Sequence, residues 1–127
     1  MWKNSPKITS RYPRISLTEE RRLIAKAQKG SKKCTQHIVL RHMGFVVFRL
    51  HKRGFPDLVR RHGEDLISES IPLLYHKIKT YDLRYRDHKG RLKPVRFVSY
   101  IWKRVDGFII DFLTREALRE KREVSMN

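Results

Sequence analysis

The C-terminal part of the chain carries the longest periodic pattern in the sequence. Its apolar side chains recur at alternating intervals of three and four residues, which places them on one face of an α-helix. The pattern begins after Pro94 and can continue to about Arg122, so we predict one long helix there. The side chains that define it are Val98, Ile101, Val105, Phe108 and Phe112.

Two earlier segments have helix signals at both ends. Ser16 and Glu19 have the spacing of a capping box, with Thr18 as an alternative cap, and Gly30 is a typical C-terminal stop. Ser31 can cap a second helix, which we expect to run to about residue 52. The apolar stripe of this second helix consists of Val39, Met43, Val46, Val47 and Leu50.

A third helix is predicted to start near Glu64 or Asp65, after a turn-rich loop at residues 53–63 that holds at most a short helical turn. Pro72 lies inside this helix, where it removes a backbone hydrogen bond, costs about 3 kcal/mol and should produce a kink. The predicted buried stripe is Ile67, Ile71, Leu74 and Ile78.

The predicted fold is all-α, a compact helical bundle with a long C-terminal helix and a basic loop. The loop covers residues 81–94 and could instead form a short hairpin around Lys89 and Gly90. We divide the chain into an irregular basic arm (residues 1–15), one helical domain (16–122) and a short tail (123–127).

The charge of the chain indicates its class of partner. Thirty Lys and Arg residues against thirteen Asp and Glu residues give a net charge of +17, which opposes a compact monomer by self-repulsion. A nucleic acid fits such a charge best, because each neutralised phosphate releases counterions. A membrane surface fits less well, since the basic residues are spread over several segments.

No pattern in the sequence indicates an enzyme. The six histidines lack the spacing of metal ligands, and no glycine-rich loop for a nucleotide phosphate is present. A metal site at the carboxylates of Glu64, Asp65 and Glu69 is disfavoured because no second acidic cluster accompanies them. We therefore expect no catalytic residue, no metal and no cofactor. The single cysteine, Cys34, cannot form an intrachain disulfide and suits a reducing cytoplasm.

Basic and aromatic residues alternate between residues 84 and 104. Lysine and arginine side chains can contact phosphates, while aromatic rings stack on unpaired bases, so the mixture favours single-stranded or melted nucleic acid. The alternative is that Phe97 and one of Tyr100 or Trp102 belong to the core. The basic residues are Arg84, Arg86, Lys89, Arg91, Lys93, Arg96, Lys103 and Arg104, and the aromatic ones are Tyr85, Phe97, Tyr100 and Trp102.

Four segments, in order, resemble the conserved core of bacterial sigma factors. Residues 16–33 (SLTEERRLIAKAQKGSKK) resemble its opening helix, and residues 42–54 (HMGFVVFRLHKRG) resemble the segment that follows. Residues 65–82 (DLISESIPLLYHKIKTYD) are similar to the family's Asp-Leu-Ile-Gln-Glu-Gly helix. Residues 96–109 (RFVSYIWKRVDGFI) resemble the segment that leads into the promoter-melting helix.

The resemblance implies a non-enzymatic region 2 domain that binds core RNA polymerase and opens the −10 promoter element. In the family, the Asp-Leu-Ile-Gln-Glu helix binds the clamp helices of the polymerase large subunit. The implied polymerase-binding residues are therefore Glu64, Asp65, Ser68 and Glu69. By position, Tyr100 matches the family's tyrosine that stacks on a flipped base of the non-template strand, Phe97 matches its phenylalanine, and Ser99 stands where the family has a threonine. Together with the basic and aromatic residues noted above, the predicted DNA-binding residues are Arg84, Arg86, Lys93, Arg96, Phe97, Ser99, Tyr100, Trp102, Lys103 and Arg104.

Some positions depart from the family pattern. Lys103 and Arg104 stand where primary sigma factors have two adjacent tryptophans, and His42 replaces a pocket asparagine. The sequence up to Asn127 offers no domain that would read a −35 element, which is similar to the reduced late sigma factors of tailed phages. A second activator or upstream DNA-binding protein is therefore expected. The expected location is the cytoplasm of a bacterial cell, and the resemblance to phage factors includes a phage-infected host.

Two other functions remain open. The chain could mimic a sigma factor and inhibit the host RNA polymerase by occupying its clamp. It could also bind single-stranded nucleic acid without any polymerase, through the same basic and aromatic residues.

Overall fold

The computed structural model describes residues 13–126 of the 127-residue chain. Within that range the chain forms four α-helices, so the predicted all-α class is confirmed. They are α1 (Leu17–Gln28), α2 (Lys32–Arg53), α3 (Pro56–Thr80) and α4 (Phe97–Met126). Helices α2, α3 and α4 all pack on one another, and α1 packs on α2 and α3. Residues 1–12 of the predicted arm lie outside the described residues, and residues 13–16 are irregular.

The ends of α1 and α2 are defined by local hydrogen bonds. The Ser16 hydroxyl accepts from the backbone N–H of Glu19 at 3.1 Å, and the Ser31 hydroxyl accepts from that of Cys34 at 3.2 Å. Gly30 has φ +107, a left-handed conformation that glycine adopts without a steric penalty. The predicted caps and the stop at Gly30 are therefore confirmed.

Helix α3 starts earlier than predicted. It begins at Pro56, so the loop predicted for residues 53–63 was wrong for most of its length. The reason is that proline is favourable at the first helical position, where its missing N–H would have had no partner. Pro56 therefore starts a helix, although it also fits the turn that we expected.

The buried face of α3 also differs from the predicted stripe. Leu74 and Ile78 are buried as predicted, but Ile71 is 36% exposed, and Leu66 and Ser70 lie in the interior instead. The Ser70 hydroxyl donates to the Ile67 carbonyl at 2.6 Å, which satisfies it inside the protein. The helix continues through Pro72 (exposed) without a break. The predicted kink stays a prediction.

Helix α4 supplies the centre of the core. Its buried apolar residues are Phe97, Ile101, Val105, Ile109, Phe112 and Leu113. The stripe predicted from the sequence matches this face at Ile101, Val105 and Phe112, while Val98 and Phe108 are half-buried. Helix α4 continues to Met126, so the tail predicted to begin at residue 123 is helical as far as the chain is described.

The segment between α3 and α4 forms a short hairpin, which confirms the alternative predicted around Lys89 and Gly90. Its arms meet in one antiparallel bridge between Arg86 and Leu92. The backbone N–H of Asp87 donates to the Arg91 carbonyl at 2.9 Å. Gly90 has φ +77 and forms the turn.

Candidate nucleic-acid interface

A buried carboxylate of α1 organises the start of α4. Glu20 is only 6% exposed, and its Oε1 accepts from the backbone N–H of Phe97 at 2.5 Å. Its Oε2 lies 3.4 Å from the guanidinium of Arg96, which also donates to the Ile15 carbonyl at 2.7 Å. Glu20 therefore satisfies one N–H at the positive end of α4 and fixes the direction in which that helix leaves the hairpin.

Other polar side chains hold the base of the hairpin. The Gln28 amide donates to the carbonyls of Ile78 (3.0 Å) and Tyr81 (2.7 Å), and the Arg21 guanidinium donates to the Leu83 carbonyl. The Tyr81 hydroxyl donates to the Val95 carbonyl at 2.5 Å, which ties the two ends of the loop together. Burial raises the pKa of Tyr81, so its hydroxyl remains a proton donor at neutral pH.

An open cavity of about 400 Å³ lies between the hairpin and the first turn of α4. We call it the tyrosine cavity, because three tyrosine rings form much of its wall. The Tyr100 hydroxyl is 2.9 Å from the Thr80 hydroxyl, and the Lys77 ammonium lies 4.2 Å from the centre of the Tyr100 ring. The lining residues are Tyr81, Asp82, Tyr85, Lys93, Val95, Ser99 and Tyr100.

The aromatic lining of this cavity suits an unpaired base, and its one carboxylate, that of Asp82, accepts from the backbone N–H of Arg84 at 2.8 Å. Aromatic rings stack on any base, and the Lys77 and Lys93 ammonium groups supply positive charge beside them. The Tyr100 ring is held on two sides, by Lys77 and by edge-on packing against Tyr81 at 5.4 Å between ring centres. A ring held in this way loses little side-chain entropy when a ligand binds.

The structure brings together part of the predicted DNA-binding set. Lys93, Ser99 and Tyr100 all line the tyrosine cavity. The side chains of Arg84 and Arg86 are exposed on the hairpin beside it. Lys103 and Arg104 are exposed one helical turn beyond Ser99 and Tyr100, which places them on the same side of α4.

Two predicted contacts are corrected by their placement. Phe97 is fully buried, packed edge-on against His42 at 4.8 Å between ring centres, so its ring is not exposed for stacking on a base. The alternative that Phe97 belongs to the core is therefore confirmed. Arg96 is engaged by Glu20 and the Ile15 carbonyl, which makes it a structural cation and not a surface contact for phosphate.

Trp102 lies away from the tyrosine cavity. It follows Tyr100 by two residues, or about 200° around the helix. Its ring packs edge-on against Phe45 at 5.0 Å, and the Arg49 guanidinium lies 4.9 Å from its centre. Arg49 also forms a two-bonded pair with Asp106 at 2.8 and 2.7 Å, which lowers the pKa of that carboxyl. Trp102 is 42% exposed, so it can contact a ligand. That ligand would have to reach a side of α4 other than the one that faces the tyrosine cavity.

The predicted polymerase-binding residues form one exposed surface, which we call the acidic face. Glu64, Asp65, Ser68 and Glu69 all project outward from α3, at the spacing of a single helix face. Lys77, beside the tyrosine cavity, lies eight residues after Glu69, or about 12 Å along the helix axis. The acidic face and the cavity are therefore separate surfaces that share one helix.

Sequence reasoning missed the residues that hold the site together. Glu20, Gln28 and Lys77 act on partners far away in the chain, and none of them belongs to a local motif.

Among the described residues no three potential ligands lie close enough to hold a metal ion. No helix of the described range is long and apolar enough to cross a membrane. Comparison of the chain with family models, curated proteins and solved structures finds no match.

The buried His42 gives stability a defined pH dependence. Burial is the main reason why the pKa of this imidazole lies below its ordinary value, and the hydrogen bond from its Nδ1 to the Ile38 carbonyl (2.7 Å) opposes the shift. The folded state therefore binds a proton less readily than the unfolded state. The contribution of His42 to the free energy of unfolding should be fully present above about pH 6.5. Below that pH it should decrease, by at most about 1.4 kcal/mol per pH unit.

Urea denaturation at several pH values tests this expectation. The loss of stability between about pH 7 and about pH 5 should be smaller in His42→Gln than in the unmodified chain. His76→Gln is the matched control, since His76 is exposed on α3. An equal reduction in both variants would mean that the pH dependence reflects overall charge and not the burial of His42.

Proposed function

We propose that the chain is a minimal sigma factor, which binds bacterial core RNA polymerase through the acidic face and captures bases of a melted −10-like element in the tyrosine cavity. The observation that best supports this function is the setting of Tyr100. The resemblance assigns base capture to this residue. Its ring lines an open, aromatic cavity with Lys93 in the wall, and it contacts Lys77 and Thr80.

Base capture in this cavity would help to keep the promoter open. Removing a base from the duplex stack costs a few kcal/mol, and stacking on an aromatic ring returns about 1–3 kcal/mol. The arginines of the hairpin and Lys103 and Arg104 of α4 are exposed around the cavity and can follow the displaced strand. The DNA-contacting set is therefore Arg84, Arg86, Lys93, Ser99, Tyr100, Lys103 and Arg104, while Trp102 lies on another side of the helix, about 200° from Tyr100.

The acidic face would serve the polymerase and keep DNA away from the docking helix. Carboxylates repel phosphate, whereas they form charge-assisted hydrogen bonds with the basic clamp helices that the resemblance implies. A docking surface of opposite charge also accelerates association. Since the acidic face and the tyrosine cavity are distinct surfaces, one chain can bind the polymerase and the melted DNA at the same time.

Substitution of Tyr100 separates base capture from polymerase docking. Tyr100→Ala should weaken capture of a melted −10-like element roughly tenfold, because the stacking surface is lost. Permanganate footprinting of the open complex should lose its signal, while affinity for core polymerase is retained. Tyr100→Phe keeps the ring, loses the hydroxyl contact to Thr80 and should retain most of the footprint. Equal loss of footprint and core affinity in Tyr100→Ala would mean that the residue is structural.

Charge reversal on the acidic face tests the docking assignment. Asp65→Arg combined with Glu69→Arg should reduce capture of the chain by immobilised core polymerase by about tenfold or more. Glu123→Arg is the control, since it changes an exposed carboxylate at the far end of α4. If the double variant is captured as well as the unmodified chain, the acidic face does not bind the polymerase.

Two further outcomes identify the alternatives. A chain that binds core polymerase, supports no run-off transcription from the encoding genome and reduces transcription by the polymerase with the host's own sigma factor is an inhibitor that mimics a sigma factor. A chain that binds single strands in a salt-sensitive way, but does not co-purify with bacterial core polymerase, acts without the polymerase. Specific run-off transcription supports the proposal, and it also provides the assay for an upstream activator.

A further inference from the structure

A second surface of the molecule exposes apolar side chains in one continuous groove. It lies between the turn that joins α2 to α3 and the C-terminal half of α4, and encloses about 290 Å³. Phe55 is 75% exposed, Leu118 is 52% exposed and Ile110 is 40% exposed. Leu58 and Leu113 also line it. We call this surface the apolar groove. Contiguous exposed apolar surface of this kind is typical of interaction sites.

The apolar groove is long enough for a helix. A shallower depression lined by Ala117, Lys121 and Val124 extends it toward the end of α4, and Val124 is 76% exposed. Ala117 and Lys121 line both depressions, so they form one surface. From Ile110 to Val124 the distance along α4 is about 21 Å, which matches a partner helix of about 14 residues.

The charges at the apolar groove indicate the charge that a partner should carry. Arg53 and Lys121 are the charged residues that line its deeper part, and both are basic. The carboxylate of Glu120, in the shallower part, is held by Arg61 at 2.9 Å and by His62, and these contacts lower its pKa to about 2. Glu120 is therefore ionised but already paired, and the groove presents net positive charge to a ligand.

We infer that the apolar groove docks an acidic amphipathic helix of a partner protein. Apolar anchors at helical spacing would fill the space beside Phe55, Ile110 and Leu118, and carboxylates at the edge of the partner helix would meet Arg53 and Lys121. A second copy of the chain fits less well, because two molecules of net charge +17 repel each other. The inference does not depend on the nucleic-acid function, because the groove shares no lining residue with the tyrosine cavity.

The groove has the rigidity that such docking requires. The backbone at Gly54 approaches Val59 and Leu113 so closely that an added Cβ would lie 2.6 and 2.8 Å from their side chains. The α2–α3 turn is therefore packed directly against α4. A preformed groove costs little to order when a helix binds.

A designed peptide tests the inference on the full-length chain. The probe is a synthetic helix of about 14 residues, with leucines at helical spacing and glutamates at most other positions. A second peptide has the same composition, with its leucines distributed around the helix. Fluorescence anisotropy should show saturable binding of the first peptide, and at least about tenfold weaker binding of the second. Equal binding of the two would mean that only charge is recognised, which overturns the inference.

Matched variants locate the binding surface. Leu118→Glu and Lys121→Glu should each weaken binding of the first peptide, the former by about tenfold or more. The controls are Leu40→Glu, which changes a leucine of α2 that is 45% exposed, and Lys29→Glu, which changes an exposed lysine after α1. The inference is overturned if the controls weaken binding as much as the groove variants, or if no saturable binding occurs.

Two measurements identify other occupants of the groove. Analytical ultracentrifugation of the unmodified chain should show a monomer, and a dimer that Leu118→Glu dissociates would mean that a second copy fills the groove. Peptide affinity should be the same in Trp2→Ala as in the unmodified chain. Tighter binding in Trp2→Ala would mean that the chain's own N-terminal segment competes for the groove. Either result replaces the partner helix with an occupant supplied by the chain itself.

Discussion

Replacing Glu20 by alanine should lower the free energy of unfolding by about 3 kcal/mol. The substitution leaves the Phe97 N–H and the Arg96 guanidinium without their shared buried acceptor. Arg96 keeps its bond to the Ile15 carbonyl and some contact with water, which limits the loss. The start of α4 would lose its anchor, so binding of single-stranded DNA should weaken together with stability. Urea denaturation followed by circular dichroism measures the first effect.

The neighbouring residue is a close control for this prediction. Glu19 lies at the surface and its carboxylate pairs with Arg22 at 2.5 Å within the same helix, an arrangement that contributes little to stability because water and salt screen it. Glu19→Ala should therefore change stability little. Glu20→Gln keeps an oxygen for the Phe97 N–H but loses the negative charge that pairs with Arg96. Its loss of stability should lie between those of Glu19→Ala and Glu20→Ala. Equal destabilisation by Glu19→Ala and Glu20→Ala would contradict the role assigned to the buried carboxylate.

Replacing Gly54 by alanine should destabilise the fold by about 1–3 kcal/mol through overpacking. The added Cβ would lie 2.6 Å from Val59 Cγ2, 2.8 Å from Leu113 Cδ1 and 2.9 Å from the Leu50 carbonyl oxygen. Gly54 has φ −94, which any residue adopts, so the cost is one of space and not of backbone strain. Thermal or urea unfolding of the variant measures it.

Gly107 provides a control of opposite sign. It lies inside α4, and a Cβ added there meets nothing within 4 Å. Gly107→Ala should therefore stabilise the chain by about 0.5–1 kcal/mol, because alanine loses less conformational entropy in a helix. Val59→Ala combined with Gly54→Ala should recover part of the loss by making room for the new methyl group. If the pair is simply additive, the clash with Val59 does not cause the destabilisation.

The features that sequence reasoning predicted correctly are local ones. The caps at Ser16 and Ser31, the stop at Gly30 and the apolar stripe of α2 all depend on residues within one or two helical turns. The start of α3 was misplaced because proline at residue 56 fits both a turn and the first position of a helix, and the choice depends on how the helix packs. Its buried face was predicted only in part, because Ser70 lies in the interior with its hydroxyl bonded to the Ile67 carbonyl, while the apolar Ile71 is exposed.

The candidate site was predictable in its composition but not in its arrangement. The alternation of basic and aromatic residues pointed to Tyr100 and Lys93, which line the tyrosine cavity. The other placements depend on helix phase and on partners elsewhere in the chain. These placements are the burial of Phe97 in the core, the structural role of Arg96 and the orientation of Trp102 toward α2. Lys77 came from α3, where no local pattern marked it as a neighbour of Tyr100.

The frame that holds the hairpin and the start of α4 has a consequence for biosynthesis. Its hydrogen bonds join residues far apart in the chain, with a sequence separation of 77 for Glu20 and Phe97 and of 62 for Arg21 and Leu83. Contacts of such long sequence separation form late, because closing a long loop costs entropy before any contact is gained. During synthesis on the ribosome, the Glu20 carboxylate lacks both the Phe97 N–H and the Arg96 guanidinium until the first turn of α4 has emerged. The tyrosine cavity is therefore among the last parts of the protein to mature, and a nascent chain with only α1 to α3 lacks it.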